Sequence, residues 1–188
     1  MLQLFDNEDF RIQQCPNTRR DVRRALDACR DERRPYLLLT PDMTRRPLRR
    51  ILVPVSMLEE ETYKGEICTW LARKAGVTID LLCAHDYGSS ARRNTERIAT
   101  HIRAVAEQSG TDIRYNILQA RKDSFHLMRE AADATHVSDT YDLLVLTASR
   151  EYGLDDWLFG PPELYAVRRS RVPVLLVNPR ADLFSLCD

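Results

Sequence analysis

The side chains capable of acid–base, nucleophilic or metal chemistry are few in this chain, and their spacing does not bring them together. Histidine occurs at His85, His101, His126 and His136. His85 and Asp86 follow an apolar run that reads as a strand, and open α/β sheets bind ligands at the carboxyl ends of their strands. A His–Asp step without a nucleophile is not a catalytic set. His126 and His136 are ten residues apart on one predicted helix, too nearly opposed to share a metal. Asp155 and Asp156, beside Trp157, read as a solvated loop after a turn at Gly153. The five cysteines, Cys15, Cys29, Cys68, Cys83 and Cys187, are odd in number and form no C-x-x-C pair. Neither a disulfide framework nor a zinc site is expected from them, and Cys68 and Cys83 fall at apolar positions as small buried hydrophobes. No P-loop, Ser–His–Asp grouping or carboxylate pair emerges. The expectation is a protein without catalytic turnover, metal or cofactor.

A chain of 188 residues with 44% hydrophobic content suffices for one medium domain and an appendage. Its 28 basic and 28 acidic side chains cancel, which argues against a whole-molecule field for nucleic acid or anionic membrane. The basic residues are arginines except for Lys64, Lys74 and Lys122. No run approaches the ~20 apolar residues of a membrane span. Residues Met1 to Phe10 lack the basic start and apolar stretch of a signal peptide, so a cytoplasmic location is expected.

From Arg50 onward, short apolar runs alternate with amphipathic stretches. Ile51 to Val55, Val77 to Ala84, Ile113 to Leu118, Asp142 to Leu146 and Pro173 to Val177 read as strands. Between them Glu59 to Ala75, Ala91 to Ser109 and Ser124 to Val137 have helical spacing, and Gly160-Pro161 opens a last helix. Gly76 and Gly110 stop the first two helices, Ser90 is a candidate cap, and Ser56-x-x-Glu59 reads as a capping box. Strands joined by helices of this length make right-handed crossovers and a parallel sheet.

The first forty residues carry a helical stretch, Asn17 to Arg34, and a strand, Pro35 to Leu39. Leu26 to Pro41 aligns without gaps on Leu164 to Pro179, with Leu26, Ala28, Arg30, Arg33, Pro35, Leu37, Leu38 and Pro41 identical. This reads as an internal repeat. The chain therefore divides into a helix–strand appendage (1–42, repeating 164–180), a linker (43–49), a domain (50–180) and a tail (181–188). Arginines of the first helix, such as Arg19, Arg20, Arg23 and Arg24, interleave with Asp21, Asp27, Asp31 and Glu32. That is the pattern of a salt-bridged exposed face, so nucleic acid is not the expected partner there.

The strand ILVPVS, the strand DLLVLTASR, the Gly153 turn, the WLFG segment and the strand VPVLLV, in this order, resemble the universal stress protein family over Arg50 to Pro179. The resemblance implies an α/β fold: a doubly wound, five-stranded parallel sheet of order 3-2-1-4-5 with helices on both faces. It also implies that the appendage strand, near Tyr36 to Thr40, pairs antiparallel with Val174 to Asn178, as fifth strands do in family dimers and tandem chains. The protein would then be a monomer, or a homodimer that could exchange this strand.

Family members that bind ATP carry G-x2-G-x9-G-[ST] after the fourth strand and an acid at the end of the first. Here those positions fall on Thr147, Arg150, Gly160, Pro161 and Ser56, so only Gly160 is retained. With Pro54 and Ser149, they form a degenerate nucleotide site. A proline supplies no N–H and an arginine adds bulk where phosphate should approach. The resemblance thus implies a stress-response or regulatory protein that binds a protein partner or small ligand. The alternatives are an ATP or AMP binder or slow hydrolase with an altered loop, in which Ser149 and Arg150 hold the anion, and nucleic-acid contact through the first helix.

Overall fold

The computed structural model describes residues 1–30, 34–110, 113–148 and 161–178, with the side chains of Cys29 and Arg30 left out. Ser149, Arg150, Gly153, Asp155, Asp156, Trp157, Gly160 and Cys187 lie outside the described residues, as do Asp31, Glu32 and Arg33. In chain order the elements are α1 (Leu2–Phe5), β1 (Arg11–Gln14), α2 (Arg19–Arg30), β2 (Tyr36–Leu39), β3 (Arg50–Val55), a 3₁₀ turn (Glu59–Tyr63), α3 (Lys64–Ala75), β4 (Thr78–Cys83), α4 (Ser89–Gln108), β5 (Arg114–Gln119), α5 (Leu127–Val137), β6 (Leu143–Thr147), α6 (Pro162–Arg169) and β7 (Val174–Val177).

One seven-stranded sheet runs β1-β2-β7-β6-β3-β4-β5. The five strands expected from residue 50 onward stand in it as third, second, first, fourth, fifth, all parallel. Beyond them lie β2, antiparallel to β7, and β1, parallel to β2. The sheet therefore has two strands more than the expected five. β1 was not expected at all: Arg11-Ile12-Gln13-Gln14 is polar for a strand, and its half-exposed edge position explains why no apolar run marks it. Strands β6 and β7 are buried along their whole length, as parallel strands covered on both faces must be.

Local signals end the helices much as expected. Gly76 takes the left-handed conformation (φ 62°) and donates to Ala72 O, closing α3. Pro161 caps α6 and Pro162 is its first residue. Ser90, in contrast, lies inside α4, whose cap is Gly88 at φ 100°. Only a chain reversal with positive φ fits between β4 and this long helix, so a glycine takes the place of a side-chain cap.

Alternate residues of each strand feed two cores. One, holding Ile51, Val53, Ile67, Leu71, Ile79 and Ile102, lies under α3 and α4; the other, holding Leu52, Ala131, Leu144, Leu164 and Val167, lies under α5 and α6. The N-terminal segment contributes to both. Val22 and Leu26 of α2 join the second core, whereas Phe5 and Phe10 join the first, packing edge-on at 5.1 Å, with Phe10 4.7 Å from Trp70. The first ten residues thus cover the β2–β7 surface that α3 does not reach.

The register fixes this arrangement. Leu37 stands opposite Leu175, with Tyr36 facing Leu176 and Leu38 facing Val174. The gap-free alignment of the chain on itself also places Leu37 on Leu175, the pair at the centre of this ladder. The linker is strapped down as well. Asp142 accepts from the backbone N–H of Arg49 and Arg50 at 2.9 and 3.0 Å, and Thr44 N–H donates to Arg171 O at 2.7 Å.

All four β2 side chains have no exposed area. At about 1.5–3 kcal/mol per buried large side chain, they contribute an upper bound of roughly 6–12 kcal/mol, comparable to the whole stability of a domain. Deleting residues 1–42 should expose β7, so size-exclusion chromatography should show dimers or aggregates and the melting temperature should fall. Unchanged elution and melting would refute an integral role. Burial also pushes the Cys68 thiol up to about 12 and the Cys83 thiol up to about 11. Iodoacetamide at about pH 8 should therefore leave both unmodified in the native protein and label them once it is denatured.

Candidate functional site

The strand order reverses at β3: the chain leaves it through α3 for β4 on one side, and later returns to β6 on the other. In a doubly wound sheet this switch point, at the carboxyl ends of β3 and β6, is the ligand crevice. Among the described residues, a set of buried charged and polar side chains lies at these strand ends. Lys64, the first residue of α3, is fully buried and donates from Nζ to Pro54 O at 2.6 Å. It also makes a close ion pair with Glu61. Glu61 in turn accepts from Ser56 Oγ through Oε1 (2.9 Å) and from Thr147 Oγ1 through Oε2 (3.1 Å). Five residues from β3, β6 and the 3₁₀ turn are tied into one buried knot.

Local sequence explains how the knot forms. Leu58 N–H reaches back to Ser56 Oγ at 3.4 Å, turning the chain out of β3 into the 3₁₀ turn. This overturns the capping-box reading. Leu58, not Ser56, is the residue before the turn, Ser56 donates to Glu61 instead, and Glu59 pairs with Arg97 of α4. The turn's three-residue period brings Glu61 and Lys64 to one side. Gly65 lets α3 approach α4 closely, since a Cβ there would meet Val105 at 3.3 Å. Burying two charges costs several kcal/mol each, and only a full set of partners offsets it; carbonyl, carboxylate and hydroxyl groups supply that set here.

A second buried carboxylate, Asp86, lies at the end of β4. It accepts from Ser124 N–H at 2.9 Å and from Ser124 Oγ at 2.7 Å, while Ser124 Oγ accepts from Met57 N–H at 3.2 Å. The loops leaving β3, β4 and β5 are thereby locked together. Ser124 does this outside the helix, which begins at Leu127 and not at Ser124 as its spacing suggested. His85, next to Asp86 in sequence, is exposed and points to the Tyr87 ring, so the His–Asp step does not form a pair. The other histidines are separate: His101 is exposed on α4, His126 Nδ1 meets Asp123 at 2.8 Å and His136 Nδ1 meets Arg169 O at 3.2 Å. A third carboxylate, Asp80, is buried on β4 among Arg50 (Nε 2.8 Å), Asn116 (2.7 Å) and Tyr141 (3.1 Å). Burial first, then Asp80, pushes the Tyr141 hydroxyl up to about 12.

Of the nucleotide-site positions predicted from sequence, Pro54, Ser56 and Thr147 meet at the knot, and Pro161 caps α6. Ser149, Arg150 and Gly160 are outside the described residues. Pro161 and Pro162 remove two backbone donors from the start of α6, and Glu163, an acid in its first turn, is buried there. Sequence reasoning missed Glu61, Lys64 and Glu163. The usable signal was the E-x-x-K spacing at one of the three lysines of an arginine-rich chain.

Comparison with known proteins bears on the same region. A universal stress protein from Archaeoglobus fulgidus DSM 4304 superposes with a TM-score of 0.64 at 14% identity, over 96% of this chain and 64% of its own. A protein of unknown function from Pseudomonas aeruginosa PAO1 gives 0.53 at 19% identity, over 95% and 66%. A universal stress protein in complex with cAMP gives 0.51 at 16% identity, over 71% and 99%. The chain thus spans less than two thirds of the length of the Archaeoglobus protein. These likenesses concern fold. No curated protein sequence matches the chain. A model of the universal stress protein family matches residues 47–178, most of the chain from the linker to the end of β7, and the chain therefore belongs to the universal stress protein family.

Proposed function

We propose that this is a cytoplasmic, non-catalytic stress-response or regulatory member of its family, which acts by binding a partner or ligand while its nucleotide crevice is closed. The observation that carries the reading is the buried Lys64–Glu61 pair. Its carboxylate engages Ser56 and Thr147, the two strand-end positions that would flank a nucleotide. Opening the crevice means unpairing an ammonium and a carboxylate that have no exposure to spare. The start of α6 adds to the argument, because two prolines and a buried acid stand where phosphate would need N–H donors.

A second reading, nucleotide binding, is favoured by the structural neighbour in complex with cAMP. The two readings separate in a thermal-shift series with ATP, ADP, AMP and cAMP at about millimolar concentration. A ligand that binds only the native state raises stability by RT ln(1 + [L]/Kd), about 2.7 kcal/mol at a hundredfold excess over Kd. The closed crevice predicts essentially no shift for any of the four, and a rise of several degrees with any of them overturns it.

The knot itself makes a sharper prediction. Lys64→Met leaves Glu61 buried without its cation and should destabilise the protein by about 3–5 kcal/mol in urea unfolding. Lys64→Met combined with Glu61→Gln should regain a large part of that loss, because no buried charge is then left over. If the single and double variants are equally unstable, the pair is not the interaction that closes the crevice.

A further inference from the structure

Going beyond that reading, and using neither Glu61 nor Lys64, we infer that the groove between α5 and α6 is a binding track for single-stranded nucleic acid. The groove has a volume of about 590 Å³ and is lined by Arg19, Phe125, His126, Arg129, Tyr165, Arg168 and neighbouring residues, with no acidic side chain among the described lining. The acids beside it are paired with its own lining residues. Asp133 is held by Arg169 Nε at 2.8 Å and Tyr165 OH at 3.3 Å, and Asp123 by His126. Glu130 turns away to the backbone N–H groups of Arg121 and Lys122. Arg129 and Arg168, both exposed, therefore carry the positive charge that the groove presents, while the charge of Asp133 is met by Arg169.

The aromatic side chains are what distinguish this from a merely basic surface. Phe125 is 84% exposed in the turn before α5, an apolar ring without cover. Arg129 lies over the Tyr165 ring at 4.6 Å, a guanidinium–aromatic stack whose planar faces suit an unpaired base. Phe125 precedes α5 by two residues and lines the groove with Arg129, while Arg168 is three beyond Tyr165 on α6. The start of α2 then brings in Arg19, through Asn17 donating to Arg168 O at 3.3 Å. Phe125, Arg129, Arg168 and Arg19 surround one groove of about 590 Å³, an arrangement on the scale of the shortest single-strand sites, about four nucleotides. A duplex offers no unpaired face to Phe125, and a free mononucleotide would use only part of the track.

The test is fluorescence anisotropy of the full chain with a labelled single-stranded oligonucleotide of about 12 nucleotides, as RNA and as DNA, at about 50 mM salt. Duplex of the same sequence and polyglutamate serve as competitors. Saturable binding to at least one single strand is expected, with duplex and polyglutamate competing poorly. Arg129→Ala with Arg168→Ala should weaken it about tenfold or more and reduce the slope of log affinity against log salt by about 1.4, two phosphate contacts at about 0.7 each. Phe125→Ala should weaken binding at least about fivefold without changing that slope, and Phe125→Tyr should retain it. All these side chains are exposed, and a melting curve confirms that each variant folds; Arg129→Gln alone replaces the double variant if the latter does not. Absence of binding at about 100 μM protein overturns the inference. So do wild-type affinity in the arginine variants, indifference to Phe125→Ala, and polyglutamate competing as well as the oligonucleotide, which would mark an acidic-peptide site instead.

Discussion

The structure depends on the antiparallel ladder between β2 and β7. A parallel strand as apolar as Val174–Val177 is ill suited to the edge of a sheet, because its outer N–H and C=O groups would be left unpaired. β2 closes the ladder, α2 covers one face beside α6, and Phe5 with Phe10 covers the other beside Trp70. Everything before residue 42 is arranged around that need. The self-pairing of Leu37 with Leu175 means that the same short piece of sequence solves the problem from both sides.

The same economy governs the switch point. A crevice at the ends of β3 and β6 must hold either a ligand, water or side chains. In this chain a buried lysine, bonded to Pro54 O and paired with Glu61, lies at those strand ends. Lys64 is one of three lysines against a background of arginines, and the difference is physical. An ammonium on a slim stem can meet one carbonyl and one carboxylate in a closed space. A guanidinium has five donors to satisfy and a planar fork to accommodate. Glu61, Ser56 and Thr147 complete a set in which no strong polar atom of the knot is left to water, and that completeness makes a buried pair tolerable.

Much of the fold was legible in the sequence because parallel strands and their crossover helices leave strong periodic signals. β3, β4, β6 and β7 read as apolar runs, Gly76 as a stop, and the Tyr36–Leu39 segment as a strand by its kinship with the chain's own end. β1 was not legible. An edge strand needs hydrogen bonds and little burial, so Arg-Ile-Gln-Gln carries no hydrophobic pattern. The capping box at Ser56 failed for a related reason. The S-x-x-E spacing is local, whereas the winning partner, Glu61, is chosen by what closes the space between two strands more than eighty residues apart in sequence. Likewise, His85 and Asp86 are neighbours along the chain but sit on opposite sides of the strand end, one in solvent and one in the loop lock.

Zero net charge was read as evidence against a field that could attract polyanions, and the burial pattern shows why that inference is weak. Among the described residues, Glu61, Asp80, Asp86, Asp142 and Glu163 are buried, against Lys64 as the one buried base. Carboxylates are short and accept hydrogen bonds well, so the fold spends them on loop locks, linker straps and the knot at the switch point. Arginines, with long stems and heads that are costly to bury, stay outside. A chain balanced in composition thus becomes unbalanced in space. Between α5 and α6, Asp133 is paired with Arg169 and Glu130 with the backbone N–H groups of Arg121 and Lys122, while Arg129 and Arg168 remain exposed. The cationic face is therefore a consequence of how the interior satisfies its own polar groups.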